Sequence, residues 1–336
     1  MTDLPSAGPP GDAAPMVIAY DGSPHAEQAI RAGAAVMAGR SAVVVTVWRS
    51  LQAAAASSRI ALPDNIIAGG VAALDAEARG DALGLAEDGA RLARSCGLRA
   101  EALEAQQHGS TAEAIAAVAD AHDAGVIVVG SRGRSAVRST ILGSVTYGLL
   151  HATRRPTLVA RAPSTTDPPT PKGPVMLCYD GSAPARHAAV VAGGLLRGAR
   201  GVVVHCWEPV DDRMLQATVA HPTLASRLKE LANEMNGADR EQAETLAAEG
   251  AEVAATAGFE VSSLIVDERQ GTWEALAAAA EDEDVRLVVV GSRGRSTLTS
   301  LVIGSVSHGL LHHCPRPLLV VPPPEARERR GGGSLN

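Results

Sequence analysis

Short apolar runs alternate along the chain with segments in which small apolar residues recur at helical spacing. Met16-Val17-Ile18-Ala19-Tyr20 is one such run, closed by Asp21-Gly22-Ser23-Pro24. It predicts a buried strand, a turn, and a helix capped by Ser23 with Pro24 in its first turn. That helix is expected to reach about Ala38, with Ala26, Ala29, Ile30, Gly33 and Val36 facing inward. Ala42 to Trp48 is continuous enough in valine to be a second strand buried on both faces. Periodicity is weakest between Ser50 and Gly97, where a loop to about Leu62 and a long helix from about Leu74 to Cys96, stopped by Gly97, are expected. Leu98 to Gln107 reads as a third strand. Gly109-Ser110-Thr111 starts a helix reaching Ala121, and Val126 to Val129 is a fourth strand. A helix ending near Thr153 and a fifth strand, Pro156 to Ala160, complete the unit. Strict alternation of strand and helix calls for an α/β fold, a parallel doubly wound sheet with right-handed crossovers.

The plan is then written a second time. After a proline-rich stretch, Val175-Met176-Leu177-Cys178-Tyr179-Asp180-Gly181-Ser182 repeats the first strand and its turn at an offset of 180 − 21 = 159. Trp207 falls on Trp48 at the same offset, while Phe259 falls on Leu98 at 259 − 98 = 161, so two extra residues lie in the long-helix region. Leu318 to Val321 is the last strand. The expected organisation is a disordered leader at 1–15, a first domain at 16–161, a linker at 162–174, a second domain at 175–322 and a disordered tail at 323–336.

The strongest chemical signal follows the fourth strand of each copy. Gly130-Ser131-Arg132-Gly133 leads, across nine intervening residues, to Gly143-Ser144-Val145; Gly291-Ser292-Arg293-Gly294 leads to Gly304-Ser305-Val306 in the same way. From Gly130 to His151, 14 of 22 positions equal those from Gly291 to His312. Strand, glycine-rich loop and helix start form an anion cradle, because backbone N–H groups and the helix dipole point at whatever fills the loop. Glycine also lets main chain approach where a Cβ would intrude. The spacing is neither Gly-x-x-x-x-Gly-Lys-Ser/Thr nor Gly-x-Gly-x-x-Gly.

Charge and composition narrow the function. With 37 acidic against 30 basic residues the net charge is -7, which argues against general nucleic-acid binding. Only 2% of residues are aromatic, so the cores must be built from Ala, Val, Leu and Ile. The four cysteines, Cys96, Cys178, Cys206 and Cys314, have no Cys-x-x-Cys spacing and read as free, buried thiols in a reducing, cytoplasmic setting. No membrane span or signal peptide is indicated.

The paired glycine loops resemble those of the universal stress protein family, and the resemblance covers nearly the whole chain. It implies two flavodoxin-like (Rossmann-like, HUP-type) domains, each a five-stranded parallel sheet of order 3-2-1-4-5, so that strands one and four flank a crevice. It further implies that ATP, with or without Mg, is held there. Carried over residue by residue, the first crevice is Asp21, Val47, Gly130, Arg132, Gly133, Gly143, Ser144 and Val145. The second is Asp180, Cys206, Gly291, Arg293, Gly294, Gly304, Ser305 and Val306. Family members commonly pair through an edge strand, which makes residues 156 to 160 and 317 to 321 the expected contact of an internal pseudo-dimer, with a further homodimer left open.

Plainer readings stand beside these. An Asp before Gly-Ser also makes a turn; Arg132, Arg134, Arg293 and Arg295 also suit a solvated surface; Trp48 and Trp207 also cover a core edge. His312-His313-Cys314 suggests a metal, yet the first copy has His151-Ala152-Thr153 there. Arg138 stands opposite Thr299 and Val47 opposite Cys206, so the crevices need not be equivalent. No nucleophile, base and orienting group are brought together by the sequence, so no catalytic residue is named. An adenine-nucleotide-binding stress or regulatory protein is the reading; slow ATP hydrolysis, cyclic AMP binding and a nucleotide-free scaffold are its alternatives.

Overall fold

A computed structural model describes residues 14–53, 70–133, 142–161, 173–210, 222–268, 271–294 and 303–324. Most of the expected leader, residues 54–62 of the expected loop, the linker to residue 172, the tail from residue 325, and Arg134, Arg138, Arg295 and Thr299 lie outside the described residues.

The first half runs β1 (Met16–Ala19), α1 (Pro24–Val36), β2 (Ser41–Trp48), α2 (Ala72–Ser95), β3 (Arg99–Gln106), α3 (Thr111–Ala121), β4 (Val126–Gly130), α4 (Ser144–Ala152) and β5 (Thr157–Ala160). The second repeats it: β6 (Val175–Cys178), α5 (Ala183–Leu195), β7 (Arg200–Trp207), α6 (Pro222–Thr256), β8 (Glu260–Asp267), α7 (Thr272–Asp282), β9 (Leu287–Gly291), α8 (Ser305–His313) and β10 (Leu318–Val321). Local chemistry sets the helix starts. The Ser23 and Ser182 hydroxyls accept from Ala26 N and Ala185 N, and Ser110 forms a capping box with Glu113.

Ten strands form one sheet, ordered β3-β2-β1-β4-β5-β10-β9-β6-β7-β8. Each half therefore has the 3-2-1-4-5 order. The halves join where β5 meets β10 antiparallel, with Leu318 opposite Val159 and Leu319 opposite Leu158. The edge-strand join expected of the pseudo-dimer is thus present, and it makes the sheet mixed and continuous. Because side chains alternate across a strand, each face carries a core that crosses the join. α1, α2, α5 and α6 cover one face with Ile30, Ala90, Ala188 and Ala254; α3, α4, α7 and α8 cover the other with Ile115, Leu149, Leu276 and Leu310. The scarcity of large side chains shows in the packing distance: a Cβ on Gly89 or Gly250 would come within 2.7 Å of the Tyr20 or Tyr179 ring, so α2 and α6 sit directly on those aromatics. No described helix is long and apolar enough to cross a membrane.

Candidate functional site

In each half the neighbouring parallel strands β1 and β4, or β6 and β9, end side by side at a crevice, the place where the winding of the sheet reverses. The aspartate that closes the first strand serves two purposes there. Asp21 Oδ1 accepts from Ser23 N at 3.0 Å, and Asp180 Oδ1 accepts from Ser182 N at 3.0 Å, around glycines at φ +76° and +77°. This is the turn-making reading. The other oxygen faces the glycine loop: a Cβ on Gly133 would lie 2.8 Å from Asp21 Oδ2, and one on Gly294 would lie 3.1 Å from Asp180 Oδ2. A side chain at either loop position would press on the carboxylate and displace it.

The loops are pinned at both ends. Ser131 N donates to Ala160 O and Ser292 N to Val321 O, each at 2.8 Å, fixing the loop start to the last strand of its half. Gly143 N and Gly304 N then close back onto Ser131 O and Ser292 O at 2.8 and 2.9 Å. Thr146 Oγ1 and Ser307 Oγ, from the following helices, donate to the carbonyls of Gly130 and Gly291 at 2.8 and 2.7 Å. Gly130 has no room for a side chain, since a Cβ would lie 2.6 Å from His25 O. Unlike α1, α3 and α5, helices α4 and α8 start at glycines with no side-chain cap. Among the described residues no side chain caps them, and such a helix start suits an anion.

In the second half the crevice is a cavity of about 340 Å³, and all eight predicted residues, Asp180, Cys206, Gly291, Arg293, Gly294, Gly304, Ser305 and Val306, line it. In the first half the same main-chain geometry brings Asp21, Gly130, Arg132, Gly133 and Gly143 together. Val47 and Val145 are half-buried on the same apolar face as Cys206 and Val306, and Ser144 opens α4. His25 stands among the first set. Burial lowers its pKa, the nearby Arg132 cation lowers it further, and Asp21 opposes both.

Tyr179, His205, Glu268 and Thr272 also line the second cavity and were not anticipated. Thr272 Oγ1 donates to Glu268 Oε1 at 2.5 Å, and in the first half Thr111 Oγ1 donates to Gln107 Oε1 at 3.0 Å. Both pairs obey the offset of 161, the one signal that could have found them. They also separate the two halves chemically: a carboxylate stands in the second where an amide stands at the matching position of the first.

Trp207 is not among the lining residues, and Trp48 Nε1 donates to Glu104 at the outer strand, which favours the core-edge reading for both. His313 stacks on Trp273 at 4.4 Å and His308 pairs with His312 at 4.4 Å; among the described residues no three His, Cys, Asp or Glu side chains gather as metal ligands. The cysteines are free, but only Cys314 is fully buried; Cys96, Cys178 and Cys206 are partly exposed, a correction to the expectation of buried thiols.

Burial, helped by Glu268, pushes the Cys206 thiol up to about 12, and burial pushes Cys178 well above its ordinary value. A rise from 9.0 to about 12 lowers the thiolate fraction at pH 8 by about a thousandfold. Because a thiolate of higher pKa is also more nucleophilic, iodoacetamide at that pH is expected to label Cys206 at least about tenfold more slowly than a small free thiol, as read by mass spectrometry of its peptide. A rate equal to the free thiol's would refute the assigned environment.

The universal stress protein family model matches residues 14–161 and again residues 173–322. The chain belongs to the universal stress protein family. It carries the family domain twice. A universal stress protein of Mycobacterium tuberculosis is 29% identical over 208 residues, 59% of this chain and 62% of that protein; the match thus spans about three fifths of that relative. One from Thermus aquaticus is 33% identical over 149 residues, 44% of this chain and 96% of that protein. Among solved structures, a universal stress protein from Archaeoglobus fulgidus aligns with a TM-score of 0.58 at 19% identity, covering 92% of this chain and 98% of that one. That likeness shows the tandem fold.

Proposed function

We propose that this universal stress protein binds an adenine nucleotide, ATP with Mg, in each crevice, and that the bound nucleotide sets its activity as a regulatory protein of a stress response. The observation that carries the reading is the convergence of the eight second-half residues on one cavity of about 340 Å³, a size within the range of small-molecule sites. The cradle suits the ligand: tightly packed glycine positions, and a helix start without a side-chain cap, of the kind that holds phosphate. In this reading the amides around Ser144 and Ser305 hold phosphates, with Arg132 and Arg293 adding charge-assisted bonds. Asp21 and Asp180 accept from ribose hydroxyls, and Val47 and Cys206 flank the base. The role is binding rather than turnover, because tight grip on a ground state accelerates nothing by itself.

The test is non-denaturing mass spectrometry of gently purified protein. Two adenine nucleotides per chain are expected, with ATP outnumbering ADP, AMP and cyclic AMP. A chain that emerges empty and stays empty in millimolar ATP and Mg would reject the reading.

A further inference from the structure

Away from both crevices, the carboxyl ends of α1 and α5 meet at a second cavity of about 390 Å³. Its walls are residues 36–40 from the first half and residues 195–199 with Arg286 from the second. Three of these residues are arginines, Arg40, Arg197 and Arg286, and none is an aspartate or glutamate. The duplication does not account for them. The counterpart of Arg40 is Ala199 and that of Arg197 is Ala38, both at an offset of 159; the counterpart of Arg286 is Gly125, at 161. Three guanidinium groups therefore converge on one interface from positions where the other half carries only Ala or Gly.

The three differ in how they are held. Arg40, 8% exposed, donates to Ala14 O at 3.2 Å and, across the join, to Leu195 O at 3.1 Å. It ties the halves together and satisfies a helix-end carbonyl. Arg286 is half-buried; its Nε is buried and has no hydrogen-bond partner among the described residues. Burial lowers its pKa, and among the described residues no acidic side chain acts against that. Arg197 is exposed at the rim, its stem 3.4 Å from where a Gly258 Cβ would stand. A desolvated cation without a counter-charge is costly, and guanidinium groups match the oxygens of phosphate in paired hydrogen bonds. An anion carrying several charged oxygens would relieve that cost and bridge the two halves.

We propose that this interface cavity is a binding site for a small phosphate-bearing polyanion, distinct from the two crevices. The probe is inorganic pyrophosphate, titrated calorimetrically into the full chain at constant ionic strength, with inorganic phosphate and sulfate as separate arms. Pyrophosphate also resembles a nucleotide tail, so the titration is repeated on Gly133→Val/Gly294→Val, whose crevices are obstructed.

One pyrophosphate per chain is expected to persist in that variant. Adding Arg197→Ala and Arg286→Ala should weaken it at least about tenfold, the scale of losing charge-assisted contacts, and Arg286→Lys should recover part of the loss. Tighter binding of phosphate or sulfate than of pyrophosphate would assign the site to a single oxyanion and overturn the polyanion assignment. Loss of all pyrophosphate binding in the crevice variant, or unchanged affinity without the arginines, would overturn the site. Should Arg286→Ala fail to fold, Arg197→Ala alone, at the exposed rim, carries the same comparison. ATP binding in the arginine variants should match the wild type, so a failure here leaves the crevice proposal standing and the reverse.

Discussion

Valine at both Gly133 and Gly294 is expected to weaken ATP binding at least about a hundredfold, close to 3 kcal/mol, while leaving the fold intact. Each added Cβ lands on the carboxylate that closes the first strand, 2.8 Å from Asp21 Oδ2 in one half and 3.1 Å from Asp180 Oδ2 in the other. Something must move at those distances. Either the carboxylate swings away and its acceptor is lost to the ligand, or the loop retreats and takes its N–H groups with it. The strands beneath are buried and pinned by Ser131 and Ser292, so the shift stays in the loop and the melting temperature should move by only a few degrees. The single variants separate the halves: Gly133→Val should leave one nucleotide per chain in equilibrium dialysis, held by the second crevice, and Gly294→Val the converse. Undiminished ATP uptake by the double variant would mean that these loops do not cradle the nucleotide.

What the sequence discloses follows the range of the interactions involved. β1, β2, β4 and their repeats are legible because a strand covered on both faces is apolar at nearly every position, as in Val126-Ile127-Val128-Val129. The glycine loops are legible because their chemistry is local, spaced along one continuous stretch. Tyr179, His205 and Glu268 reach the cavity from just past β6, from β7 and from just past β8, and only the tertiary fold assembles them. α6 is the least legible element. It begins at Pro222, far ahead of Met235, the counterpart of Leu74 where the first long helix was expected to start (235 − 74 = 161). Leu224, Leu231 and Met235 are exposed on it, so the apolar stripe that normally marks a packed helix does not mark this stretch. The three-arginine cavity is invisible for a related reason: Arg40, Arg197 and Arg286 lie far apart in the chain and meet only because two helix ends converge across the join.

That join carries the other large effect. Thr157, Leu158, Val159 and Ala160 are all buried, a pattern unsuited to a solvent-facing edge strand and explained by the antiparallel partner β10. Leu158 stands opposite Leu319 in register, the two 0% and 2% exposed in the core beneath α1 and α5. Leu158→Ala is expected to cost about 3 kcal/mol, from lost burial and the cavity left in a core too tightly packed to collapse. Leu319→Ala should cost a similar amount, and the double variant less than the sum, because both truncations open one shared cavity. Arg161 adds to the seam by donating across it to Cys314 O at 2.9 Å and to the carbonyl of His312. With both cores running through the join, the halves should unfold as one unit: a single calorimetric transition in the wild type, displaced as a whole by Leu158→Ala. If the variant instead shows one half melting early and the other at its original temperature, the two domains are independent and the shared core does not couple them.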